Sequence, residues 1–241
     1  MYPELISGTP SLRASFAARI LALAALAACL APSNAVAEWT GGIQGGAVIR
    51  DGEQSNRLRL SVTNETRPLS HNIYADYIFG GDQEDAFEVG YRPRYWFSQQ
   101  LYVLGEVNFR QDEEIGIDRE TGQTLGVGYQ FLRSDSQSAF IEGSAGARQV
   151  TFTNPLTDDL SQPFGRARLG YSQLLSDLAR IQFAASSTFA DEFTETSAEV
   201  GVTINLSTIA LTLGYRVINQ SVDGQDSITD DTTTLSFNYR L

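Results

Sequence analysis

The side chains able to do chemistry are few and unevenly chosen. All 17 basic residues are arginine, set against 29 Asp plus Glu, with one histidine, one cysteine and one methionine. A hydrolase built on Ser, His and Asp needs its histidine beside a nucleophile. The single histidine, His71, follows Ser70 at what reads as a tight turn. His71 is read as a turn or interfacial residue, an outer-membrane lipid hydrolase is the least favoured function, and the chain is not expected to be an enzyme. One Cys and one His cannot build a thiolate or imidazole metal centre. The acidic groups Asp82-Gln83-Glu84-Asp85 and Asp112-Glu113-Glu114 lack the oxygen spacing of a dedicated calcium loop. No metal and no cofactor is expected, and the Gly-x-Gly pairs read as strand glycines, not as nucleotide loops. What remains is arginine and carboxylate at alternate positions: Arg57 and Arg59; Glu88, Arg92 and Arg94; Glu106 and Arg110; Arg166 and Arg168. A guanidinium is a planar, permanent cation that either pairs with a carboxylate or receives an oxyanion, and a spacing of two puts such groups on one face of a strand.

The elements that position them repeat with period two from Trp39 onward. Leu125, Val127, Tyr129 and Phe131 alternate with Thr124, Gly126, Gly128 and Gln130, and Leu235, Phe237, Tyr239 and Leu241 with Thr234, Ser236, Asn238 and Arg240. Twelve such runs begin near residues 39, 57, 71, 86, 101, 121, 138, 163, 179, 195, 209 and 232. Short connections at Pro68-Leu69, 98–100, 133–137, Ser176-Asp177 and Ser207-Thr208 alternate with longer ones at 51–56, 80–85, 111–120, 152–162, 190–194 and 219–231. Alternating loop lengths and an even strand number predict an all-β fold, a transmembrane antiparallel up-and-down barrel with periplasmic turns and acidic extracellular loops. A soluble sandwich also alternates, but its polar face meets bulk water, whereas this one carries Gly, Ser and mid-strand arginine. Trp39, Tyr95, Trp96, Phe97 and Tyr102, near the short turns, are expected to form an interfacial girdle.

Residues 1–37 read as a cleaved secretory signal: Arg13 and Arg19 precede an Ala/Leu-rich run, Pro32 breaks it, and Ala35-Val36-Ala37 supplies a small-x-small cleavage pattern. Leu26-Ala27-Ala28-Cys29 also fits a lipoprotein cleavage box, which leaves the processing route open. Residues 38–241 form the barrel domain. A formal charge of −12 and a pI of about 4.5 rule out nucleic acid as a default partner. No apolar run of helical membrane-span length follows the leader.

The segment Leu101-Tyr102-Val103-Leu104-Gly105-Glu106-Val107, through Gly116-Ile117-Asp118 and on to Leu125-Gly126-Val127-Gly128-Tyr129-Gln130-Phe131-Leu132, resembles the salt-induced outer membrane proteins of Gram-negative bacteria, a domain family of unknown function. Trp39-Thr40-Gly41-Gly42 is similar to the family's first strand, whereas the closing Leu241 departs from the usual terminal aromatic. The resemblance implies an outer-membrane β-barrel and no activity. Its surroundings would be outer-membrane lipid and lipopolysaccharide, with the barrel-assembly machinery as partner during insertion. The oligomeric state stays open.

Assigning each polar face to the lumen lines it with Arg57, Arg59, Arg92, Arg94, Arg110, Arg148, Arg166, Arg168, Arg180, Arg216 and Arg240, and with Glu65, Asp76, Glu88, Glu106, Glu142 and Glu199. Eleven cations face six anions there, while loop acids such as Asp85, Asp112, Glu120, Asp159, Asp191, Asp230 and Asp231 gather outside. Turn positions predict Glu106 opposite Arg92, Arg110 opposite Glu88, Glu199 opposite Arg216, and Asp76 across from Ser61. The expected function is a small anion-preferring pore. The alternative is a non-conducting structural barrel, filled by Arg–Glu networks, that supports membrane integrity under osmotic or salt stress.

Overall fold

A computed structural model describes residues 39–50, 53–80, 85–112, 117–153, 159–191, 193–222 and 227–240. The leader with Cys29, the loop acids Asp51, Asp82, Glu84, Glu113, Glu114, Asp158, Glu192, Asp223 and Asp226, and Leu241 lie outside the described residues.

Twelve strands follow one another: β1 (Trp39–Arg50), β2 (Glu53–Asn64), β3 (Leu69–Phe79), β4 (Ala86–Trp96), β5 (Leu101–Asp112), β6 (Ile117–Arg133), β7 (Gln137–Phe152), β8 (Leu160–Leu174), β9 (Ala179–Ala190), β10 (Phe193–Leu206), β11 (Ile209–Val222) and β12 (Ile228–Arg240). Each pairs antiparallel with its chain neighbours, and β1 pairs with β12 from Gly42↔Arg240 to Arg50↔Thr232, closing the sheet. Every strand begins within four residues of its predicted start. There is no helix among the described residues.

Period two decides where each side chain goes. Outward positions carry Leu125, 77% exposed, together with Val107, Val127, Phe183, Val200, Leu213, Leu235 and Phe237, an exposed apolar belt that hydrocarbon would cover. Near the short turns, His71 stacks between Trp39 and Tyr91, with ring centroids 5.9 and 6.0 Å apart, and its Nδ1 hydrogen-bonds the Tyr91 hydroxyl at 2.8 Å. His71 thus sits near the start of β3, beside the short turn. Trp96 and Tyr102 do not join this stack, because their parity turns them inward with Arg94 and Glu142.

Two further expectations give way. The longer connections are shorter than read: only 113–116 lie between β5 and β6, 153–159 between β7 and β8, and 223–227 between β11 and β12. Ladder hydrogen bonds, not apolar side chains, define a strand, so polar outward residues such as Gln123, Gln149 and Asn219 continue the sheet past the apolar belt. The β2–β3 register also differs, since Asp76 faces Arg59 and Ser61 faces Tyr74. The turn is longer than Pro68-Leu69: Asn64 Oδ1 accepts from the Thr66 amide at 2.8 Å and starts the reversal earlier. A slip of two leaves every face unchanged.

Three inward glycines stand in register opposite inward aromatic rings: Gly90 opposite Tyr74, Gly128 opposite Tyr102 and Gly170 opposite Phe140. Each ring lies flat over its glycine, so a Cβ there would overlap ring carbons. Gly128→Val is therefore expected to destabilise the barrel by about 1–3 kcal/mol through overpacking, read as a lower urea midpoint in detergent. Gly143→Val, at an outward site where a Cβ meets nothing within 4 Å, should leave the midpoint unchanged.

Candidate functional site

The lumen is the one enclosure to which the sheet directs its charge, and its two walls differ. On β4 to β8 the inward groups lock together. Arg92 donates to Glu106 Oε2 at 2.7 Å, and Arg166 approaches the same oxygen at 3.6 Å from three strands away. Glu142, 3% exposed, accepts from Arg94 at 3.1 Å and from the Tyr102 hydroxyl at 2.7 Å, with Arg168 at 3.8 Å. These are chords across the interior, β4 to β7 and β5 to β8, not only rungs between neighbours. Tyr102, Leu104, Glu106, Thr124 and Glu142 are buried as a result.

From β9 round to β1 most inward groups are small or uncharged, with Arg180, Glu195, Glu199, Arg216 and Asp230 as charged exceptions. Ser186 pairs with Ser197 at 2.8 Å, Thr203 with Thr212 at 2.9 Å, Asn238 donates to Thr212 at 2.9 Å, and Gln44 donates to Ser236 at 2.6 Å. Inward-facing Gln182, Ala184, Glu199 and Arg216 are exposed, so water reaches this wall. A cavity of about 260 Å³ runs along it past Gln182, Ala184, Glu199, Gly201 and Thr212. It shares Ser138 and Phe140 with a larger one of about 330 Å³ at the short-turn mouth. The lumen is a crescent, filled on one side and wet on the other.

Placed residue by residue, Arg57, Arg59, Asp76, Glu88, Arg92, Arg94, Glu106, Arg110, Glu142, Arg148, Arg166, Arg168, Arg180, Glu199 and Arg216 all occupy inward register positions. Arg240 stands opposite Gly42, and its side chain lies outside the description. The ion pairs differ from the pairs read off the turns. Arg92 and Glu106 bond as expected. Arg110 turns to Asp112 instead of Glu88, and Glu88 accepts from the Tyr74 hydroxyl at 2.8 Å. Glu199 and Arg216 face each other in register without an ion pair, and both are exposed. Asp76 pairs with Arg57 and lies 3.8 Å from Arg59, and Arg148 stands in register opposite Gln162.

Asp112, expected outside, is 4% exposed and inward. Glu120, Glu195 and Asp230 also take inward register positions at the long-loop end, which narrows the positive surplus. Glu65 sits in the turn before β3 and lines the short-turn cavity. That mouth gains two arginines the alternation concealed. Arg67 belongs to the turn, with its guanidinium 3.9 Å from the Trp96 ring centre. Arg133 is brought inward by a bulge between Gln130 and Leu132 that reverses the parity at the end of β6. Arginine therefore dominates the short-turn mouth, while Asp112, Glu120, Glu195 and Asp230 sit toward the long loops with Arg57, Arg110 and Arg148.

The chain belongs to the family described as "Protein of unknown function, DUF481", whose pattern matches residues 51–241. No curated protein sequence matches it. In fold it is similar to an outer membrane channel from Pseudomonas putida F1, with 10% identity, a TM-score of 0.55, and coverage of 88% of this chain and 100% of that one. It is similar to the KdgM porin with 9% identity, a TM-score of 0.53, and coverage of 82% and 98%. A bacterial polysaccharide outer membrane secretin follows with 10% identity, a TM-score of 0.50, and coverage of 86% and 100%. The fold is that of the porin-like outer-membrane β-barrels it resembles.

Removing one member of a buried charged group leaves its partners uncompensated. Glu142→Leu, which strands Arg94 and Arg168, should cost about 2–4 kcal/mol, whereas Tyr102→Phe, losing one charge-assisted hydrogen bond, should cost about 1.5–3 kcal/mol. Urea titration of the detergent-refolded barrel measures both, and Glu199→Leu, free of such partners, should lie within error of the parent.

Proposed function

We propose that the protein sits in the outer membrane as a small passive channel with a preference for anions, its short turns in the periplasm and its long loops outside. The observation that carries this is the hydrated wall of β9 to β11, where Gln182, Ala184, Glu199 and Arg216 face inward and remain exposed. A barrel filled on all sides would bury them. The arginines placed along and below this path lower the barrier to carboxylates and phosphates more than to cations. The fold likeness to a channel and to a porin supports the reading at the level of architecture. Lipopolysaccharide and lipid surround the apolar belt, and the barrel-assembly machinery inserts it. Synthesis rising with external salt, as the family resemblance implies, belongs to the same proposal.

The locked wall favours a second reading, a non-conducting barrel that stiffens the membrane. Planar-bilayer recording under a KCl gradient separates the two. A channel of this design gives a reversal potential displaced toward that of chloride, and Arg180→Glu combined with Arg216→Glu moves it toward the cation side. Absence of conductance from correctly refolded protein, or a cation-directed potential in the parent, contradicts the proposal.

A further inference from the structure

The cavity of about 330 Å³ at the short-turn mouth has a composition that structural packing does not require. Its walls hold Arg67, Arg92, Arg94, Arg133 and Arg180 with a single carboxylate, the exposed Glu65. Arg92 and Arg94 are compensated by Glu106 and Glu142 deeper in the lumen. Arg67, Arg133 and Arg180 have no carboxylate within ion-pair reach among the described residues. Arg67 donates to the Ser98 and Gln99 carbonyls at 3.5 and 3.0 Å, and Arg180 to Ser172 Oγ at 2.8 Å.

Aromatic rings hold Arg67, Arg133 and Arg94 together. The guanidinium carbons of Arg67 and Arg133 lie 3.9 and 5.9 Å from the centre of the Trp96 ring, and that of Arg94 lies 5.5 Å from the Tyr102 ring, itself 4.4 Å from Trp96. Cation–π attraction offsets part of the repulsion among three guanidinium groups gathered at one ring pair. It does not remove the repulsion, which an oxyanion among them would. Arg92 and Arg94 each keep an Nε–H with no acceptor among the described residues. Beside Phe140 and His71, the lining also carries Thr63, Ser70, Asn72, Gln130, Ser134 and Ser138, neutral donors of the kind that complete an oxyanion's hydrogen bonds. The volume of about 330 Å³ has room for a compact ligand.

We infer that this mouth is a binding subsite for small multivalent oxyanions, of the size of a tricarboxylate, held by Arg67, Arg133 and Arg180 against the Trp96–Tyr102 pair. Three guanidinium forks match several carboxylate or phosphate groups better than one halide. The subsite deepens the channel reading by giving the lumen a ligand class. It is measurable at equilibrium whether or not the barrel conducts.

The chain has two tryptophans, and Trp39 lies in the outward girdle. Trp39→Phe therefore leaves Trp96 as sole reporter inside the cavity. In detergent-refolded protein, citrate added at constant ionic strength is expected to change Trp96 emission along a saturable curve, with inorganic phosphate weaker and chloride without effect. Arg67→Ser, Arg133→Ser and Arg180→Ser should each weaken citrate binding about tenfold, near 1.4 kcal/mol apiece. Far-ultraviolet circular dichroism and heat-modifiable gel mobility confirm that each variant folds, and Arg180→Ser, away from the tryptophan, keeps the test alive if changes beside Trp96 disturb the fluorescence. A linear response, an equal response to chloride, or citrate affinity unchanged in folded Arg180→Ser and Arg133→Ser overturns the subsite. Saturable binding without bilayer conductance keeps the subsite and removes the channel.

Discussion

Inside a bilayer no water is available to a free backbone amide or carbonyl, so a sheet that crosses it must close on itself. The β1–β12 ladder from Gly42↔Arg240 to Arg50↔Thr232 is that closure. It depends on close approach at Gly46, where a Cβ would run into the backbone of Leu235 and Ser236 on β12. Once the ladder closes, each residue has one of two directions, outward or toward the lumen. The apolar belt, the inward arginines and the cavity between them follow from that choice, repeated on every strand.

The interior then has to accommodate permanent cations in a confined space. It does so in two ways. Between β4 and β8, Glu106 and Glu142 each draw arginines from opposite sides of the barrel, and the chords fill that half. Between β9 and β1, hydroxyl, amide and glycine positions leave room for water, and Glu199 and Arg216 stay exposed instead of pairing. Such an arrangement gives one rigid wall and one polar path beside it. An acidic protein with a formal charge of −12 can thus hold a cationic mouth. Much of the negative charge sits in and near the long loops, away from Arg67, Arg133 and Arg180.

Strand number, order and facing were legible in the sequence because period two survives any even slip. The Asp76 register shows this: the Asn64 turn moved it by two residues, and Asp76 still reached the lumen beside Arg57 and Arg59. What the alternation could not convey was where ladders stop and where parity breaks. Asp112 looked like a loop acid because its neighbours are charged, yet it pairs with Arg110 inside the barrel. Arg133 followed Phe131 at the outward spacing, and the bulge after Gln130 reversed it. Arg67 belonged to no strand at all. Trp96 and Tyr102 sat at strand ends, where composition suggests a membrane girdle and parity puts them in the mouth. The arginines of the filled wall and Arg180 were legible in the alternation, whereas Arg67 and Arg133 depend on a turn and a bulge that it does not encode.

Thiol accessibility tests the crescent lumen most directly. With Cys29 replaced by Ala, single cysteines at Ala184, on the wet wall, and at Thr124, 7% exposed on the filled wall, are treated with charged membrane-impermeant thiosulfonates in reconstituted vesicles. The account predicts that Ala184→Cys reacts readily, faster with the anionic reagent than with the cationic one, while Thr124→Cys stays inert. Equal protection at both sites, or faster reaction of Ala184→Cys with the cation, would contradict a water-filled, anion-favouring lumen.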